Sequence, residues 1–170
     1  MTVPFLGFAE DCLVRGVVQT DGRRLSDLLA AWPQIVVAGP VVVEALEDGR
    51  RFELPELTLA HDDLCLVELG GPRGDARQRL RVAAQRLVAR VGPYRLTATL
   101  HTPPSAAPIA GLARRPLIVP MTDAVIEFES GGAHVRHELA TVGVNRDRID
   151  SLEAAYSVSH VGLGLGPEAA

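Results

Sequence analysis

The sequence lacks lysine entirely and contains few aromatic residues. All 17 basic residues among its 170 are arginine, which we attribute to the codon usage of the source genome rather than to a binding site. Phe, Trp and Tyr make up 4% of the chain, so the core must be aliphatic and few rings are available to stack on bases or sugars. The formal net charge of -4 disfavours a general polyanion-binding protein.

Cysteine and membrane-directing segments are also scarce. Cys12 and Cys65 lie far apart without CxxC spacing, which predicts two free thiols in a reducing cytoplasm. The apolar N-terminus has no basic residue before Glu10 and Asp11, so we expect neither a signal peptide nor a membrane span.

One apolar stretch of the chain occurs twice, 83 residues apart. The copies are residues 33–44 and 116–127, and each begins at a proline, is interrupted by a turn-prone pair and ends on glutamate. Their apolar residues alternate with others, which predicts a long strand with one buried face and a bend in its middle. The repetition predicts a fold built from two copies of one unit.

The strand and turn signals around the two stretches follow one plan. The sequence predicts a mainly β protein of two tandem small β-barrel-like units, each of type β-β-α-β-β-β with one short helix. The units span 1–69 and 85–156, with the second helix at 109–113. A Gly/Arg-rich linker, partly helical, is predicted at 70–84, and a disordered tail at 157–170. One unit alone would be marginally stable, so two packed units or several chains are expected.

The order of elements resembles the Sm-like small β-barrel, whose long bent strand precedes a short final hairpin. Residues 142–149, Val-Gly-Val-Asn-Arg-Asp-Arg-Ile, look like the apolar-x-Arg-Gly-x-x-Ile stretch near the end of Sm-like domains, without its Arg-Gly pair. The Asp-x-x-x-Asn uridine-binding pattern of that family is absent, so the resemblance implies the small barrel and carries over no RNA-binding residue. The doubled pattern also resembles bacterial proteins of unknown function, which implies no activity.

An arginine-rich segment is the best candidate for a binding site. Residues 70–95 carry a net charge of +6, whereas residues 1–69 carry -7. The candidate contact residues are Arg77, Arg79, Arg81, Arg86 and Arg90. They could hold phosphates, or they could pair with acidic faces of this chain or of a neighbouring one. We favour the second interpretation, because the surrounding charge is acidic and no aromatic residues interleave the arginines.

Catalytic, cofactor and metal sites have little support in the sequence. Three acids recur in both halves, and we interpret them as structural: Glu44 with Glu127, Asp62 with Asp147, and Glu68 with Glu153. His134 and His137 would point to opposite faces of a strand and cannot easily share a metal. No Gly-x-Ser-x-Gly, P-loop or dinucleotide-binding loop is present, so no enzyme, cofactor or metal is predicted. A deep polar pocket holding His61 or His101 with a carboxylate would revive the enzyme hypothesis.

The composition and the doubled pattern together favour a non-catalytic binding or assembly module. We expect a cytoplasmic homo-oligomer that docks protein partners through sheet edges, with the arginine-rich segment of one unit meeting an acidic face. The alternative is a regulator that binds nucleic acid through arginines of residues 73–95.

Overall fold

The computed structural model describes residues 1–70 and 82–155, and most of them lie in ten β-strands. The first five strands are β1 Thr2–Ala9, β2 Cys12–Gln19, β3 Gln34–Ala45, β4 Arg51–Ala60 and β5 Leu64–Glu68. The last five are β6 Ala83–Val91, β7 Tyr94–Thr102, β8 Ile118–Ser130, β9 Ala133–Asn145 and β10 Ile149–Ala154. The described residues contain one α-helix, α1, at Leu25–Ala31, and short 3₁₀ turns precede β5 and β10. None of the helices in this part of the chain is long and apolar enough to cross a membrane.

Alternating side chains explain why these segments form strands. In β7, every second residue from Tyr94 to Thr102 is buried, so one face of the strand packs on the core and the other faces outward. Short turns join β1 to β2, β3 to β4, β6 to β7 and β8 to β9, and the last three contain glycines with positive φ: Gly49, Gly92, Gly131 and Gly132. These hairpins make the pairing of neighbouring strands local and antiparallel.

The ten strands form one antiparallel sheet in the order β10-β6-β7-β8-β9-β5-β1-β2-β3-β4. In the first half of the chain, β5 returns to pair with β1, and in the second half β10 returns to pair with β6. The two halves are joined where β5 pairs with β9, with Leu66 opposite Val144 and Glu68 opposite Val142. Strands β4 and β10 are therefore the two edges of the sheet.

The predicted mainly β class is confirmed, but the predicted pair of closed barrels is wrong. A closed first unit would need its fourth and fifth strands to pair, whereas β5 has β1 on one side and β9 on the other. The edges of β5 and β9, which would have closed the first and second barrels, instead pair with each other and join the halves into one open sheet.

The predicted second helix is also wrong, because a 3₁₀ turn at Leu112–Arg114 replaces it. Pro108, Gly111 and Pro116 surround this turn, and together they leave too short a run of helix-forming residues for an α-helix. Helix was predicted as far as Ala84, but Ala83 and Ala84 begin β6. The rest of the predicted linker from 71 to 81 and the predicted disordered tail at 157–170 lie outside the described residues.

Two hydrophobic clusters form the core, and the middle strands contribute to both. One cluster gathers residues of α1 and β1 to β5 and also includes Ile118. The other gathers residues of β6 to β9, and it also includes four residues of the first half: Phe8, Leu13, Cys65 and Leu66. Because Phe5 and Phe8 of β1 belong to different clusters, both faces of the middle of the sheet are buried.

Candidate functional site: an unpaired sheet edge

The structure does not gather the predicted arginines into one described site. Arg77, Arg79 and Arg81 lie outside the described residues. Arg86, on β6, donates from Nη1 to the carbonyl oxygen of Asp123 at 2.6 Å and to Oγ1 of Thr99 at 3.2 Å. Arg86 is therefore engaged with its own sheet.

Of the two predicted contact residues within the described part of the chain, Arg90 is the exposed one. It lies on β6 between Arg95 of β7 and Ser151 of β10, and both of these cross-strand neighbours are exposed. Arg95 pairs with Glu127, with its Nη1 3.2 Å from Oε2. Arg90 thus lies near the β10 edge, on a polar face of the sheet.

Glu44, one of the acids that recur in the sequence, joins neighbouring strands. Glu44 of β3 lies 3.2 Å from Nη1 of Arg15 on β2 and 3.1 Å from Nε of Arg51 on β4. Its other carboxylate oxygen accepts a hydrogen bond from Oγ of Ser130 at 3.3 Å. These contacts give Glu44 a structural role across three strands and the junction between the halves.

Asp147 lies in the 3₁₀ turn before β10, where its backbone N–H donates to Oδ1 of Asn145 at 3.1 Å. Asp62 occupies the corresponding turn before β5, beside the ring of His61. Among the described residues, no group of three His, Cys, Asp or Glu side chains could hold a metal ion.

The two histidines whose placement in a deep polar pocket would revive the enzyme hypothesis each have a hydrogen-bond partner in the fold. One ring nitrogen of His61 lies 3.1 Å from the carbonyl oxygen of Leu29, and His101 lies 2.8 Å from Oγ1 of Thr122. A cavity of about 530 Å³ beside the turns between β1 and β2 and between β6 and β7 is lined by neither histidine. Its acids are Glu10, Asp11, Glu47 and Glu129.

The two thiols are protonated at neutral pH. Burial, reinforced by the neighbouring Asp11, raises the pKa of Cys12 to about 11. Burial also raises the pKa of Cys65 to about 11. Since the thiolate is the nucleophile, neither cysteine is activated for covalent chemistry in this state.

The free edge at β4 is the most distinctive surface that the described residues present. The N–H of His61 bonds the carbonyl of Pro33 at 3.0 Å, in line with the β3–β4 register. Backbone bonds alternate in direction along an antiparallel strand, so those of Leu57 and Leu59 also point to β3. The backbone groups of Glu56 and Thr58 therefore point away from the sheet.

Apolar side chains accompany these free backbone groups. Phe52 is 54% exposed and Leu54 is 38% exposed, and they stand opposite Val43 and Val41 of β3. Val41 is fully buried, so Phe52 and Leu54 extend the inner, apolar face of the sheet out to its edge. An edge strand of this kind can bind another strand by backbone hydrogen bonds, with side-chain pockets adding specificity.

Inside the chain, the corresponding edge of the second half is occupied along residues 141–144 of β9. Strand β9 pairs with β5, and the N–H of Leu69 donates to the carbonyl of Thr141 at 3.1 Å. The buried amide of Asn145 donates to the carbonyl of Leu64 at 2.9 Å, and the Tyr94 hydroxyl donates to the carbonyl of Ala9.

The β5–β9 junction is packed so closely that it requires a glycine. A Cβ added at Gly143 would lie 2.6 Å from Cγ2 of Ile118 and 2.9 Å from Cγ1 of Val67.

The sequence predicted one part of this site and missed another. In the sequence, Pro55 indicates an edge strand or a bulge, because proline cannot donate to a central ladder. The β5–β9 pairing was missed, although the four consecutive apolar residues from Leu64 to Val67 signal a strand that is buried on both faces.

Comparisons of the chain with models of protein families, with characterised proteins and with solved structures find no match.

Proposed function

We propose that this protein is a non-catalytic assembly module, built from two copies of one five-stranded unit, that docks a protein partner along the β4 edge. The observation that carries the proposal is the contrast between β4, which is unpaired and partly apolar, and β9, which is the fourth strand of its own half and pairs with β5. The outer edge of the fourth strand is thus paired with β5 in the second half, whereas in the first half it is unpaired.

The ladder registers support the duplication. Adding 82 to residue numbers in β1 and 85 to those in β5 converts the β1–β5 pairs into the β6–β10 pairs. Gly7–Val67 becomes Ala89–Leu152, Phe8–Leu66 becomes Arg90–Ser151, and Ala9–Leu64 becomes Val91–Ile149. Both ladders also skip one residue at the same place, between the second and third of these pairs.

The long strands β3 and β8 also support the duplication, although the spacing between them is not 83 throughout. The pair Val41–Leu54 corresponds to Ala124–Leu139, which is a shift of 83 in the long strand. Before the irregularity that contains Gly39 and Pro40, the shift in the long strand is 84, because β3 carries one more residue there than β8. An extra residue at a bulge is the kind of difference that a duplicated unit accumulates.

Exposed apolar residues support a protein partner over a nucleic acid. Phe52 and Leu54 lie on the edge strand, and Trp32 and Val36, which are 55% and 47% exposed, lie in the segment leading into β3 and in β3 itself. The half that contains them carries a net charge of -7, which repels phosphate. An extended protein strand can use both the free backbone groups and the apolar side chains.

Site-specific photo-crosslinking tests this function. A benzophenone amino acid replaces Phe52 in cells that express the protein, and a matched variant carries it at Arg136, which is exposed on β9 away from the β4 edge. We expect discrete protein adducts from position 52 and much weaker adducts from position 136. Adducts of equal strength from both positions, or none from position 52, would refute docking at β4.

A further inference from the structure

We infer that the β4 edge binds the β10 edge of a second copy of this chain, so that copies join head to tail. This inference rests on the proposed function, because it names the partner of the docking edge. It follows from the β5–β9 junction, which joins the fifth strand of one half to the fourth strand of the other. The two strands left free are β10, the fifth strand of the second half, and β4, the fourth strand of the first half.

The free backbone groups on β4 match those that β9 uses. At the junction, Gly143 pairs with Val67, and the carbonyl of Thr141 accepts from Leu69. Residues of β9 correspond to residues of β4 with numbers lower by 85, so Gly143 corresponds to Thr58 and Thr141 to Glu56. These two residues are the ones whose N–H and C=O groups point away from β3.

The free backbone groups on β10 match those that β5 uses. The N–H of Ala155 bonds the carbonyl of Arg86 at 2.8 Å, so the backbone groups of Leu152 and Ala154 point away from β6. Adding 85 to Val67 and Leu69 gives Leu152 and Ala154. Pairing Leu152 with Thr58 of the second copy therefore aligns donors and acceptors on both strands in the register of the existing junction.

One side-chain contact of the junction has a counterpart of a different chemistry. His137 of β9 packs against Phe8 of β1, with ring centroids 5.8 Å apart. The residue corresponding to His137 is Phe52, and the residue corresponding to Phe8 is Arg90. Both are exposed, so head-to-tail pairing would place an arginine on an aromatic ring, a cation–π contact.

The β4 side of the contact is acidic, and the strand beside β10 carries arginine. The first half, which carries β4, has a net charge of -7. Strand β6 carries Arg86 and Arg90 and no acid, and β10 itself carries Asp150 and Glu153. At the junction inside the chain, Phe8 and Leu66 are apolar and buried, whereas their counterparts Arg90 and Ser151 are polar and exposed. The contact between copies is therefore more polar than the one within the chain and weakens with salt.

The contact joins unlike surfaces, so the geometry differs from that of a two-fold dimer formed by like edges. An open chain of copies keeps one free β4 at one end and one free β10 at the other, until it closes on itself. A closed assembly would have a mass that is an integer multiple of 18.1 kDa.

The test uses two proline variants and their mixture, measured by light scattering and sedimentation. Thr58→Pro and Leu152→Pro each remove one outward N–H from an edge strand, where proline leaves the internal ladder intact. The control Thr58→Val keeps the N–H. We expect wild type and Thr58→Val to assemble, each proline variant alone to be monomeric, and an equimolar mixture of the two to form a 1:1 dimer through the one intact edge on each.

Three outcomes would overturn the inference: a monomeric wild type, a Thr58→Pro variant of unchanged mass, or a mixture that does not associate. A Leu152→Pro variant that remains a dimer would indicate pairing between two β4 strands instead. Circular dichroism spectra verify that each proline variant is folded. If position 52 crosslinks to a different protein while the purified chain is monomeric, this inference fails and the proposed docking function stands.

A second pair of variants keeps the test independent of proline. Phe52→Ala or Arg90→Ala should weaken association by roughly 2- to 30-fold, the range expected for loss of a cation–π contact. Exchanging the two side chains in one protein, as Phe52→Arg with Arg90→Phe, should restore much of the loss. If the double variant associates no more tightly than the single variants Phe52→Arg and Arg90→Phe, the contact is contradicted.

Discussion

Replacing Gly143 by alanine should destabilise the protein by overpacking the β5–β9 junction. The new Cβ would meet Cγ2 of Ile118 at 2.6 Å, Cγ1 of Val67 at 2.9 Å and Cδ1 of Leu69 at 3.2 Å. The first two distances are too short for real carbon atoms, so side chains or strands must shift. Forcing an extra methyl group into a well-packed core costs about 1–3 kcal/mol, which lowers the melting temperature by about 2–4 °C per kcal/mol in a chain of this size.

Urea denaturation followed by circular dichroism measures the free energy of unfolding of this variant. The matched control is Gly70→Ala, because a Cβ at Gly70 meets nothing within 4 Å. We expect the control to stay within about 0.5 kcal/mol of wild type, as surface substitutions usually do. A Gly143→Ala protein as stable as the control would refute the close packing of the junction.

A double-mutant cycle identifies the source of the cost. Ile118→Ala removes the nearest methyl group, so Gly143→Ala should cost less in that background than in wild type. The expected coupling free energy is about 1 kcal/mol, within the range for residues in contact. Strictly additive costs would show that the alanine at position 143 does not meet Ile118.

Three further changes test other parts of the fold. Tyr94→Phe leaves the buried carbonyl of Ala9 without its donor, and urea denaturation should show a loss of about 1–3 kcal/mol. Asn145→Ala should cost a similar amount, about 1–3 kcal/mol, because the carbonyl of Leu64 loses its amide donor. Burial lowers the pKa of His137 below its usual 6.5, so the unfolded state binds its proton first and stability should fall as the pH drops below about 6.5. His137→Phe should remove that part of the pH dependence in melting curves recorded between pH 7.5 and pH 5.

Individual strands and turns could be predicted from the sequence because their signals are local. The alternation from Tyr94 to Thr102 and the turn at Gly131-Gly132 depend only on neighbouring residues. Pro55 indicates an edge strand or a bulge for the same reason. The prediction of closed barrels failed because closure depends on which distant edge meets β5, and strand edges expose the same N–H and C=O groups regardless of sequence.

The candidate site was only partly predictable for related reasons. An arginine-rich run indicates positive charge, but it does not reveal that the carbonyl of Asp123 lies 2.6 Å from Arg86 across the sheet. The partner of Glu44 at Ser130 is 86 residues away in the chain, and local patterns carry no information about such contacts. By contrast, the apolar character of Phe52 and Leu54 is visible in the sequence, but their exposure depends on β4 being the last strand of the sheet.

The burial of Phe8, Leu13 and Leu66 under the second half has a consequence during synthesis. The first five strands emerge from the ribosome before the residues that cover this apolar surface. Until they emerge, the nascent segment exposes this apolar surface and is prone to aggregate with other chains. If the gene were split between the halves, the two polypeptides would need each other to remain in solution, so selection should favour keeping them on one chain.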